Sequence, residues 1–160
     1  DRSGVPGGPK NYEHTQPGVL MRAIFGLTVL VCLVAAAAFG VKDPKAMWIL
    51  LAVAGSLAMA TALFHSLTVR VTRESVRLHF GIGLIRKSFA VADISSVQSV
   101  RNHWYNGWGI RVIRNGWMYN VSGFDAVEIE MQNGKKIRIG TDEPKRLLAA
   151  IQRATESRSA

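Results

Sequence analysis

Charge is missing from two long stretches of this chain, and cysteine is nearly missing from all 160 residues. Lys, Arg, Asp and Glu are absent from Ala23 through Val41, and again from Ala46 through Val69. Neither stretch has a polar face recurring with the helical period, which excludes the amphipathic helix of an ordinary soluble surface. The one cysteine, Cys32, excludes an intrachain disulfide and a cysteine-based zinc site. It reads as a small apolar residue inside the first uncharged stretch. Acidic residues are scarce too, 11 against 20 Lys and Arg, so the net charge is +9.

Chemistry-bearing patterns are equally sparse. His14, His65, His79 and His103 are scattered without metal-ligand spacing. Gly81-Ile82-Gly83 and Gly107-Trp108-Gly109 lack the third glycine and the strand–helix setting of a nucleotide loop. Asp125, Glu128 and Glu130 read as a solvated strand face. No catalytic residue, metal ligand or cofactor site is therefore expected, and the chain reads as non-enzymatic. Nucleic acid is not an expected partner, because no recognition motif accompanies the basic charge.

What is present begins with the two uncharged blocks. The first contains 19 uncharged residues, which rise roughly 28 Å as a helix. The hydrocarbon core of a bilayer is about 30 Å thick. Helices are expected at about 19–41 and 46–67, forming a transmembrane hairpin over 18–67. Only Lys42, Asp43, Pro44 and Lys45 separate them, enough for a tight turn. Both termini then lie on one side. Arg2, Lys10 and Arg22 before the hairpin, and Arg70, Arg73, Arg77, Arg86 and Lys87 after it, make that side cytoplasmic by the positive-inside rule. The expected location is the inner, cytoplasmic membrane, crossed twice. Arg22 snorkels to the headgroups, and Trp48 fits the far interface. Ala52, Ser56 and Ala60 form a small-residue stripe suited to helix packing. Residues 1–17 hold Gly4, Pro6, Gly7, Gly8, Pro9 and Pro17 and read as a flexible arm.

From Leu67 onward the period becomes two. Leu67, Val69 and Val71 alternate with polar residues; after Arg73-Glu74-Ser75, Val76, Leu78 and Phe80 alternate again. Further strands are expected at Leu84–Val91 and Ile94–Val100. A two-residue turn at Asn115-Gly116 sets Ile110 opposite Val121, Val112 opposite Tyr119, and Arg114 over Trp117. A three-residue loop, Gln132-Asn133-Gly134, keeps faces matched by setting Ile129 opposite Ile137 and Val127 opposite Ile139. Gly134 is then left-handed. A last helix, capped at Thr141 or Asp142, carries the apolar stripe Leu147, Leu148 and Ile151.

Three pieces of this region carry a family likeness. One is the strand pair closing on Phe80, followed by a basic strand into Val91-Ala92-Asp93-Ile94. Another is Trp108-Gly109-Ile110-Arg111 with the later Gly116. The third runs from Asn133-Gly134-Lys135-Lys136 through Ile137 to Pro144. With them, Leu67 to about Ala154 resembles the bacterial pleckstrin-homology domains found behind short membrane hairpins. The resemblance implies an α+β membrane protein. After the hairpin comes a pleckstrin-homology-like barrel or sandwich of about seven strands over 68–154, capped by the C-terminal helix, with a tail at 155–160. It implies no activity and no lipid headgroup specificity.

Two groups are candidates for contact. Trp104, Tyr105 and Trp108, beside Gly107 and Asn106, form an aromatic loop that reads with Trp117 as a partner interface. Arg22, Arg70, Arg73, Arg86 and Lys87 are candidates for anionic lipid, since residues 68 to 160 hold 15 Lys and Arg against 8 Asp and Glu. The expected function is a membrane-anchored scaffold that binds a protein partner or copies of itself. Two alternatives are an accessory subunit of a larger membrane complex and a sensor of anionic lipid surface.

Overall fold

The computed structural model describes residues 12–40, 42–103 and 107–159, without the side chains of 158 and 159. Two apolar helices come first among the long elements: α1, Val19–Phe39, and α2, Pro44–Phe64. Each is long and apolar enough to cross a membrane. Both are shorter than the sequence suggested at their C-terminal ends, and α2 starts earlier. Pro44 begins α2 because its missing N–H is harmless in the first turn. Asp43 caps it, its carboxylate accepting from the N–H groups of Lys45 and Ala46 at 3.0 and 3.2 Å. Leu67 belongs to a strand, where its side chain is buried.

The helices touch along one narrow seam, with Cys32, Ala36 and Ala54 buried in it. Leu27, Trp48, Ile49 and Met59 are among the large apolar residues left exposed around it. At the other end, the Gly18 N–H donates to the His65 carbonyl at 2.7 Å, so the chain enters and leaves the hairpin at one point.

Among the described residues, nine strands form two sheets. Sheet A contains β1 (Tyr12–Pro17), β2 (Ser66–Val71), β3 (Ser75–Phe80) and β4 (Ile85–Ala90), antiparallel in that order. Sheet B contains β5 (Ile94–Arg101), β6 (Gly109–Ile113), β7 (Gly116–Asn120), β8 (Asp125–Met131) and β9 (Lys136–Gly140), in the order β5-β8-β9-β7-β6. The helix α3, Pro144–Ser159, packs Leu147, Ala150, Ile151 and Ala154 into the core. The inward residues of both sheets, including Leu67, Leu78, Phe80, Val127, Ile129 and Ile139, meet there. Each such side chain, fully buried, contributes about 1.5–3 kcal/mol.

Four expectations need correction. Tyr12–Pro17 is not part of a loose arm: all six residues pair with β2, from Tyr12 opposite Val71 to Pro17 opposite Ser66. The strand covers an edge of β2 that would otherwise leave its backbone groups unpaired; residues 1–11 lie outside the described residues. The sheets do not close into a barrel. β8 pairs with β5 and β9, and the β6–β7 hairpin joins the far side of β9 by a parallel pairing, which leaves β1 and β4 as the edges of one sheet and β5 and β6 as those of the other. The segment from 155 is helical through Ser159 rather than a tail.

Fourth, the β6–β7 register is displaced by two residues, with Ile110 opposite Tyr119 and Val112 opposite Trp117. Arg114 and Asn115 form the turn, and Asn115 takes the left-handed conformation at φ 65°. Gly116 is needed elsewhere, because a Cβ there would strike the Lys136 carbonyl of the adjoining parallel strand. Arg114 therefore does not face Trp117. The β8–β9 register matches expectation, with Ile129 opposite Ile137 and Gly134 left-handed at φ 76°.

Candidate functional site: two surfaces of the sheet domain

The first surface follows from the β6–β7 register. Pleating puts Val112 and Trp117 on the same face as Ile110 and Tyr119, which is the core side of sheet B. Sheet A does not extend far enough to cover them. Val112 is 73% exposed and Trp117 49% exposed, although both face inward. Together with Phe89, Tyr119, Met131 and Ile137 they line a cleft of about 840 Å³ between the free edges β4 and β6. The Tyr119 ring stands 6.4 Å from that of Phe89 and 6.2 Å from that of Phe80. Burial pushes the Tyr119 hydroxyl above its ordinary pKa. Lys135 and Lys136 stand at the rim, and among the described residues no carboxylate lines the cleft.

The mouth of this cleft is remote from α1 and α2. The β8–β9 turn is tied to the short 3-10 turn Val91–Asp93, Gln132 donating to the Asp93 and Ala92 carbonyls at 2.7 and 3.0 Å. Val91 in turn donates to the Glu74 carbonyl at 2.9 Å. Glu74 lies in the β2–β3 turn, at the end of sheet A opposite the hairpin.

The second surface is the outer face of sheet A. Register sets Glu13, Arg70, Arg77 and Ser88 in one cross-strand row, and Thr15, Thr68, His79 and Arg86 in the next row toward the helices. A groove of about 610 Å³ runs between them. Arg70 is held by Glu13, its Nη2 donating to Oε2 at 2.6 Å. Arg77 donates to the Ser75 hydroxyl at 3.1 Å and Arg86 to the Gly83 carbonyl at 2.5 Å. Neither guanidinium forms an ion pair among the described residues.

At its helix-proximal end the groove is bounded by Gly81-Ile82-Gly83-Leu84, which joins β3 to β4. Gly81 and Gly83 are left-handed at φ 45° and 82°. A Cβ at Gly81 would strike the carbonyls of Ala62 and Leu63, so the turn is seated against the last turn of α2. Ile82 is 63% and Leu84 71% exposed.

The residues singled out in the sequence divide accordingly. Trp104 and Tyr105 lie outside the described residues. Trp108 is half-buried just before β6, and Trp117 begins β7 near the other end of that hairpin, so the two do not form one patch. Arg70 and Arg86 share the basic face. Lys87 is opposite Leu78 and alternates to the other face of β4. Arg73 sits in the distal turn. Arg22 lies in the first turn of α1, its N–H donating to the Gly18 carbonyl at 3.0 Å. Ala52 and Ser56 are exposed and Ala60 half-buried, away from the seam that holds Ala54. Trp117 was singled out, but its uncovered core-side neighbour Val112 and the pair Ile82 and Leu84 were missed. Two glycines around one isoleucine, at a strand end close behind an apolar helix, were the available signal.

Two charged clusters serve the fold. Glu128 is not on a solvated face. Its side chain is 5% exposed and accepts from Arg138, Lys136 and Gln98. Burial pushes its carboxyl upward, but those three donors together outweigh burial and hold it below the ordinary value. His14 bridges β1 to the start of α3, with Nε2 2.6 Å from Asp142 Oδ1. Beside it Tyr12 is pushed up to about 12, first by burial and then by the Glu143 charge. Among the described residues no group of three His, Cys, Asp or Glu side chains is placed to hold a metal. Comparison with protein-family models and with curated proteins finds no match for this chain.

Proposed function

We propose that this chain is a membrane-anchored, non-enzymatic interaction module. In this reading the α1–α2 hairpin spans the cytoplasmic membrane, both ends return to the cytoplasmic side, and a pleckstrin-homology-like sheet domain docks a protein partner in its cleft. The hairpin's length, its exposed apolar surface and its shared entry and exit point support the anchoring. Strands in two sheets followed by one packed C-terminal helix support the relationship to that domain type.

One observation carries the docking: Val112 and Trp117 face the core side of sheet B without a covering sheet. Covering the apolar surface that they leave exposed is worth about 25 cal/mol per Å². The mouth opens away from the α1–α2 hairpin, toward a partner in the aqueous phase.

A photo-crosslinking amino acid at Val112, in the full chain and in native membranes, tests this. One discrete adduct is expected, lost with Trp117→Asp and absent when the crosslinker replaces Glu74. An adduct of twice the chain mass identifies a second copy as the partner. No discrete adduct, or the same products from position 74, overturns the docking. Release of the chain by alkaline carbonate overturns the anchoring.

The accessory-subunit reading has its own support in Ala52 and Ser56, which α2 presents away from α1. Small residues there let another helix approach closely. Gentle extraction and native mass measurement decide it: a lone monomer counts against it.

A further inference from the structure

We propose that the outer face of sheet A and the Gly81–Leu84 turn form a docking site for the anionic headgroup layer of the bilayer that holds the hairpin. This rests on the membrane-spanning reading above. Three independent features converge on it.

The first is position. The Gly81 backbone is pressed against the final carbonyls of α2, and Gly81 N–H donates to the Ser66 carbonyl at 2.9 Å. A bilayer spanned by α2 has its interface at this level, because α2 ends at Phe64 and the sheet domain begins at Ser66. The turn cannot swing away without breaking that seat.

The second is apolarity in an unusual place. Ile82 and Leu84 are exposed at the rim facing the hairpin's foot, whereas the strands on either side turn their apolar residues inward. Exposed branched residues at a turn tip suit the boundary between headgroups and acyl chains.

The third is charge. Arg77 and Arg86 stand in adjacent rows directly behind the turn, both exposed and without ion-pair partners among the described residues. Arg22 projects from the first turn of α1 at the same level. Lipid phosphates supply the missing anions, and the guanidinium fork suits them. The occupant is a bilayer surface rather than a protein because the groove runs up to Gly81, whose backbone is seated on the last turn of the apolar helix α2. Docked this way, the domain turns the mouth of its cleft away from the membrane.

The test uses the full chain with Cys32→Ala, so that one thiol introduced by Ile82→Cys carries a polarity-sensitive dye. The chain is placed in nanodiscs of phosphatidylcholine alone, or with about a third phosphatidylglycerol. In the anionic discs the dye is expected to shift to the blue and to be quenched by headgroup-attached quenchers. High salt reverses this. A dye at Glu74→Cys stays water-like throughout. Arg77→Gln with Arg86→Gln lowers the docked-to-undocked ratio about thirtyfold, about fivefold for each cation. Leu84→Ser lowers it with the charges intact.

A water-like dye at position 82 in anionic discs that contain the chain overturns the site while the spanning reading stands. A blue shift indifferent to lipid charge, salt and both arginines overturns it as well. Failure of the chain to enter the discs overturns the spanning reading and this site with it.

Discussion

On the outer face of sheet B, Lys136 and Arg138 converge on one buried carboxylate, Glu128. On the outer face of sheet A, Arg77 and Arg86 converge on none. Both faces are made of alternating strand residues, and both carry an excess of cations. The difference is what each cation meets. Sheet B has drawn its charges into a network that ties β5, β8 and β9 together, with Gln98 donating to Glu128 at 3.1 Å and Arg138 donating to Asn102 at 3.1 Å. Sheet A pairs Arg70 with Glu13 but leaves Arg77 and Arg86 exposed, beside the foot of an apolar hairpin. A count of positive charge in the sequence treats the two groups alike, yet only one is available to a partner.

The comparison breaks most visibly at Glu128. Glu128→Ala removes the one carboxylate that Arg138 and Lys136 share. Their side chains are 21% and 32% exposed, so water relieves part of the cost. The expected loss is about 3 kcal/mol, the lower end for breaking a buried pair. Urea unfolding of the chain in detergent, followed by tryptophan fluorescence, measures it. A loss no greater than that of an exposed glutamate would show that the network contributes nothing to the fold.

The same carboxyl gives the second, smaller effect. Its folded-state pKa lies below the ordinary value, which is about 4.3 for glutamate. A depressed acid adds stability that is fully present above the unfolded-chain value and is lost as pH falls through the folded value. Stability should therefore decline on acidification below about pH 4.3. Glu128→Gln should flatten that part of the decline while lowering stability at neutral pH. Parallel acid slopes for the two proteins would assign the acid lability to other groups.

How far the sequence foretold these features depends on whether a neighbour in the chain or a distant strand decides them. The β8–β9 register was legible because a one-residue slip would have put Glu130 opposite Ile137. The β6–β7 register was not legible. Asn115-Gly116 looks like a self-contained turn, but the glycine is required by a parallel strand 20 residues away, Gly116 pairing with Lys136. That shift also decides that Val112 stands opposite Trp117 in the cleft. Tyr12–Pro17 was hidden by the glycines and prolines just before it, and only the free edge of β2 makes it a strand. Alternation did put Glu128 and Arg138 on the outer side, but nothing local says that this side is enclosed. It also separates Arg86 from Lys87 onto opposite faces, although they are adjacent in the chain.

The smallest expected effect on stability is the sharpest test of the contrast. Arg77→Gln and Arg86→Gln remove charges that no described carboxylate holds, so each should change unfolding by less than about 0.5 kcal/mol. Arg86 gives up a bond to the Gly83 carbonyl, but that carbonyl borders an exposed turn and water can replace the donor. Arg77 gives up one to the Ser75 hydroxyl, and Ser75 still has Thr72 beside it at 3.3 Å. A large loss in either variant would mean that these arginines hold sheet A together, as Arg138 does in sheet B, and the two faces would then differ only in exposure. A negligible loss, set beside the cost of Glu128→Ala, would show that sheet A keeps its cations at no structural need of its own, which leaves contact with something outside the chain as the reason for them.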